Sequence, residues 1–176
     1  MSESSIFEKV LFVGMDYKIP KGGIASVLNT YSTFIHPFKF VRTAAGELNN
    51  VQKVWYAVSG YLLLIWKLFT DRRIEIVHIH SASGTSFWRK TCAIKIAKMM
   101  GKKVVFHCHG GGFKEFRLSN IKKVDVILAK VDCVVCLSGE WNNYFQSIGC
   151  KHIVTIKNVI SCLLYTSPSP RDRSLS

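Results

Sequence analysis

The chain has 176 residues, of which 48% are hydrophobic and 20% charged, a size and balance that support one domain with its own core and exclude a disordered or fibrous chain. Twenty-four lysines and arginines against eleven aspartates and glutamates give a formal charge of +13. Such an excess points to an anionic partner: nucleic acid, a phosphate-bearing substrate or an anionic membrane surface.

No secretory signal opens the chain, because residues 1–5 are polar and the first apolar run, 10–13, is too short for one. Residues 9–14 read as a buried first strand, followed by a loop with Pro20, Gly22 and Gly23. Ile24, Val27, Leu28 and Tyr31 then fall on one face of a helix over 24–35. A short strand is expected at 38–42 and a long apolar helix at 51–69. That helix nears the ~20 apolar residues of a membrane span. Lys53 and Lys67 within it, and Asp71, Arg72 and Arg73 closely after it, favour a helix packed on a sheet, with one lying partly on a membrane as the intermediate case. A third strand is expected at 75–80, and a basic helix at 87–100 that stops at Gly101. A fourth strand at 103–109 runs into Gly110, Gly111 and Gly112. A helix at 120–130, a strand at 132–137, a helix at 140–148 and a strand at 152–156 complete the series.

Strands alternating with helices predict a parallel sheet covered on both faces, joined by right-handed crossovers: an α/β, doubly wound, Rossmann-like domain. Ligands of such sheets lie beyond the carboxyl ends of the strands. Gly22 and Gly23, His80 and Ser81, His109 to Gly112, and Ser138 all fall there.

Gly22 and Gly23 precede a helix, where free amides and the helix dipole suit an anion. The loop is neither Gly-x-Gly-x-x-Gly nor a Walker A loop. In 107–109 strand alternation puts His107 and His109 on one face and Cys108 on the other, so these three do not make a zinc site. His109 is the functional candidate, and His107 reads as a hydrogen-bonded strand residue. Similarly His80 is expected to reach the cleft while His78 stays in the core. Cys133 and Cys136 have a redox spacing but lie within a strand, where no helix N-terminus stabilises a thiolate. Cys108, Cys133 and Cys136 sit in apolar runs, and the six cysteines read as free thiols of a reducing compartment. Arg89, Lys90, Lys95, Lys98 and the lysines at 102, 103, 114, 122 and 123 read as a solvated or membrane-facing basic surface. Nucleic acid is not the expected partner, since no basic motif interleaved with aromatics is present.

Residues 161–176 break the pattern, with Pro168, Pro170 and scattered serines that read as disordered. A coding string for 162–172 resembles the mosaic end and adapter of transposase-based sequencing libraries. The expected native domain is therefore 1–160, with an artefactual tail.

The ordered set Gly22-Gly23-Ile24, Ile76 to His80, His107 to Gly111, Val134 to Ser138 and Ile156 to Ile160 resembles the N-terminal domain of family-4 glycosyltransferases of the GT-B fold. The resemblance implies a retaining transfer from a nucleotide-sugar to a sugar or lipid-linked acceptor in cell-surface polysaccharide or glycolipid synthesis. It also implies a cytoplasmic protein, peripheral at the inner membrane face, with no metal and no cofactor besides the donor substrate. The chain would be the acceptor-side half, inactive without a donor-binding C-terminal domain that it lacks. By the same resemblance His109 lies near the transferred sugar and Gly22 and Gly23 near the donor phosphates. His80, Ser81, Gly110 and Gly111 complete the substrate site. The competing expectations are a single-domain nucleotide-binding α/β enzyme and a non-catalytic membrane-associated domain.

Overall fold

The computed structural model describes residues 6–18, 22–46 and 49–158. The expected boundary at 160 and the tail 161–176 lie outside the described residues.

Six parallel strands form one sheet: β1 (Val10–Met15), β2 (Lys39–Ala44), β3 (Ile76–Ser81), β4 (Lys103–Cys108), β5 (Cys133–Cys136) and β6 (Ile153–Thr155). Their spatial order is β2-β1-β3-β4-β5-β6. The helices between them are α1 (Gly23–Phe34), α2 (Asn50–Thr70), α3 (Thr85–Met99), α4 (Phe113–Leu118), α5 (Ile121–Leu128) and α6 (Gly139–Ser147). Helix α4 was not expected, because its six residues are too few for a periodic pattern. Elsewhere the expected elements are present, with ends shifted by a residue or two.

Alternation along the strands sorts side chains to two faces. Leu11, Val13, Val77, Ile79, Val104, Phe106, Cys108, Val134 and Cys136 belong to one core cluster with residues of α2 to α6, including Leu64, Ile94, Phe113, Leu128 and Phe145. The other face carries Phe12, His78, His80 and His107, and there α1 lies over β1. A Cβ at Gly14 would come within 2.3 Å of Leu28 Cδ1, and the Tyr31 ring meets Phe12 and His80 edge-on. Coverage is thus lopsided rather than equal on the two faces: among the described residues α1 stands opposite five helices.

Helix α2 starts at a capping box, with Gln52 N donating to Asn49 Oδ1 (2.8 Å) and Asn49 N to Gln52 Oε1 (3.1 Å). It crosses β2 closely at Gly60, where a Cβ would lie 2.2 Å from the Arg42 carbonyl oxygen. Its outward face is apolar and exposed, so the apolar content of this segment is only partly core. No described helix is long and apolar enough to cross a membrane.

Lys90 departs from expectation. It is 3% exposed, not part of a solvated basic face, and its ammonium group donates to the buried Thr43 hydroxyl. The five described cysteines are free; Cys108 and Cys136 are buried, but Cys133 is only half-buried because it opens its strand.

Candidate functional site

The chain passes from β1 outward to β2 and then returns to place β3 on the other side of β1, so the sheet's switch point lies between β1 and β3. Crevices of doubly wound sheets open there, beyond the carboxyl ends. Gly22 begins α1 at that edge with φ +102°, a backbone region that favours glycine, and no side chain caps the helix. Gly22 and Gly23 are exposed, and a Cβ at either would meet nothing within 4 Å.

The loops after β3 and β4 are joined tightly. His109 N donates to Ser81 O (2.8 Å), and a Cβ on Gly110 would sit 2.8 Å from Ser83 N. Close approach of two backbones therefore requires glycine at 110, whereas Gly111 is exposed with open space around it. Ser81 is buried and donates to Ala82 O (2.9 Å). Its hydroxyl is turned into the loop rather than toward solvent.

Four histidines occupy one patch of the second face, because His78 and His80 alternate on β3 and His107 pairs with His80 in register on β4. Their rings stack: His80 lies 4.6 Å from His78, 4.8 Å from His107 and 5.1 Å from His109, centroid to centroid. His80 Nδ1 and His109 Nε2 share a 2.8 Å hydrogen bond, and His78 Nε2 and His107 Nδ1 one of 3.3 Å. Burial disfavours the charged ring in each case. It lowers His78 to about 3, His107 to about 2 and His109 to about 4, with the neighbouring imidazoles adding to the effect at His78 and His107. His80 is pushed well below its ordinary 6.5 by the same burial. The side chain of Asn158 beside His109 acts in the opposite sense but does not offset it.

The expectation that His80 reaches the cleft is corrected by its 0% exposure. It touches His109, and His109 is the half-buried member of the pair. Among the described residues His80 Nε2 and His109 Nδ1 have no partner. A buried orphan N–H is rarer than an orphan lone pair. Either tautomer of the His80–His109 bond leaves one such N–H, on His80 Nε2 or on His109 Nδ1, and both of these nitrogens are buried. Nitrogens of His78, His80 and His107 lie within 4.8 Å of one another, a spacing open to a metal ion. Their lone pairs lie in the ring planes, however, and stacked planes do not aim at one point.

Sequence reasoning missed Asp16, a buried carboxylate just past β1. It accepts from Tyr56 Oη (2.7 Å) and from Lys18 N (3.1 Å), with Arg42 3.6 Å away and stacked over Tyr56. It anchors the start of the loop that leads to Gly22. An acidic residue directly after an apolar strand was the available signal. Ser138, just past β5, is the N-cap of α6, accepting from Trp141 N (3.4 Å). A concavity of about 810 Å³, lined by Ile76, Lys103 and Asp132 among others, lies at the opposite, amino-terminal edge of the sheet.

A family model described as Glycosyltransferase Family 4 matches residues 32–162. The chain belongs to glycosyltransferase family 4. The match spans β2 to β6, including His80, Ser81 and His109 to Gly111, and begins after Gly22 and Gly23. No curated protein and no solved structure matches the chain.

Proposed function

We propose that residues 1–160 form the acceptor-side half of a retaining glycosyltransferase of the two-domain GT-B type. It moves a sugar from a nucleotide-sugar to an acceptor used in cell-surface polysaccharide or glycolipid synthesis. The supporting observation is the convergence of the His80–His109 pair and Gly110 at the carboxyl rim beside the sheet's switch point. In an enzyme of this type the donor-binding half is a second domain.

The transition state is an oxocarbenium-like sugar with a nucleotide diphosphate departing as an anion. A charged imidazole would repel the sugar cation. A neutral His109 does not, and burial keeps it neutral down to about pH 4. Backbone amides at Gly22 and Gly23, with the α1 dipole behind them, stabilise the departing diphosphate. Gly111 gives the acceptor side room, and His80 with Ser81 positions the imidazole without touching substrate. The site requires no metal or further cofactor. The protein works in the cytoplasm at the inner membrane face, where lipid-linked acceptors are presented.

The test is His109→Ala in the enzyme that carries both domains. Turnover is expected to fall by about 100-fold or more, the scale for loss of one preorganised group at the reacting centre. Near-normal turnover overturns the assignment. Tight nucleotide binding by the isolated domain would favour a self-contained nucleotide enzyme instead.

A further inference from the structure

Helix α2 is amphipathic in an inverted sense. Its inward residues Gly60, Leu64 and Leu68 are buried against the domain, with Gly60 in contact with the β2 backbone. Val51, Trp55, Val58, Leu62, Trp66 and Phe69 recur every three or four residues and make one outward stripe. Exposure along it is high: Trp55 71%, Trp66 61% and Phe69 74%. A stripe this long and apolar is not the ordinary scatter of single surface hydrophobics. Twenty-one residues make a rod of roughly 31 Å, tangential to the domain. The helix does not cross a bilayer, since its inner face is committed to β2 and no described helix meets the requirement of a span.

We infer that the outward face of α2 is a docking surface for an anionic lipid bilayer, lying in the headgroup layer with its Trp and Phe side chains inserted. Charge decides among possible occupants. The chain carries +13, and α2 contains no acidic residue, two lysines and an exposed Arg72 just past its end. A second copy of a +13 chain would be repelled, whereas an anionic leaflet attracts it. Trp55 and Trp66 lie three turns apart on the stripe, and such amphipathic rings favour the bilayer interface. This names the element behind the membrane-facing part of the proposed function, but it does not depend on the transferase chemistry.

The experiment is sedimentation of the full chain with vesicles of phosphatidylcholine alone and vesicles containing about one-third phosphatidylglycerol. Binding to the anionic vesicles is expected to be about tenfold stronger or more, and to weaken with salt. The double variant Trp55→Ser, Trp66→Ser is expected to lose that binding while keeping its circular dichroism and thermal midpoint. Brominated lipid in the anionic vesicles should quench tryptophan emission of the unmodified chain, because Trp88 and Trp141 are partly buried in the core and only Trp55 and Trp66 face outward. Equal binding to both vesicle types, no quenching, or undiminished binding by the double variant overturns the inference. A concentration-dependent dimer lost in the double variant, with no vesicle binding, assigns the face to a second copy and also overturns it. Vesicle binding without sugar transfer would count against the proposed reaction and leave this surface standing.

Discussion

Lys90 shows how one residue can set a pH response. Its amine ordinarily titrates near 10.5, and burial lowers it to about 7, with Arg89 adding a little. Between those values the unfolded chain holds a proton that the folded chain does not, so stability rises with pH across the window and falls as pH drops toward 7. Lys90→Met keeps the length of the side chain and removes the charge. We expect it to stabilise the domain by about 2–4 kcal/mol at pH 7 and by progressively less toward pH 10. Urea unfolding at several pH values measures this; a variant with the same pH slope as the parent refutes it. Lys90 looked like any surface lysine in a basic helix, because nothing local marks which lysine of such a run points inward. Asp16 was hidden for a similar reason. Its partners Arg42 and Tyr56 are 26 and 40 positions away, and only the fold brings them together.

At the level of elements, α2 depends on a missing side chain. Gly60 lies mid-helix, where glycine costs roughly 0.5–1 kcal/mol relative to alanine. Here the contact outweighs propensity: alanine would place its Cβ 2.2 Å from a carbonyl oxygen of β2, and backbone cannot swing aside as a side-chain tip can. Gly60→Ala is expected to destabilise by about 1–3 kcal/mol. Gly139→Ala, with nothing within 4 Å of the new methyl, should stay within about 0.5 kcal/mol of the parent. A thermal midpoint for Gly60→Ala at or above the parent's would sink the argument. The alternation of strands and helices was legible because both periods are strong in this chain. The side on which α2 would show its apolar stripe was not, since hydrophobic spacing alone does not say whether a stripe faces a core or a bilayer.

For the molecule as a whole, the four stacked histidines govern behaviour in acid. Each has a folded pKa below the ordinary 6.5, so protons bind the unfolded chain first. The sign follows: the stabilisation is complete above about pH 6.5 and drains away as pH falls toward 4 and below. On the order of 1–2 kcal/mol is lost per histidine between pH 7 and 5, a large share of the 5–15 kcal/mol that holds a domain together. Urea midpoints should therefore drop steeply over that interval, and His78→Phe should make the drop shallower. Equal midpoints at pH 7 and 5 would contradict the cluster. The parallel sheet and its family were readable from strand-terminal motifs in order. The ring-to-ring contacts were not, because they depend on β3 and β4 being neighbours with His80 opposite His107.

The seam where Gly110 meets the backbone of Ala82 and Ser83 also has a mechanical meaning. His109 is hung from β3 through its own amide, and its imidazole is bonded to His80 on the same strand. The two turns therefore behave as one lever. Shifting either turn alone would break the backbone contact at Gly110 and both hydrogen bonds, so the two turns move together or not at all.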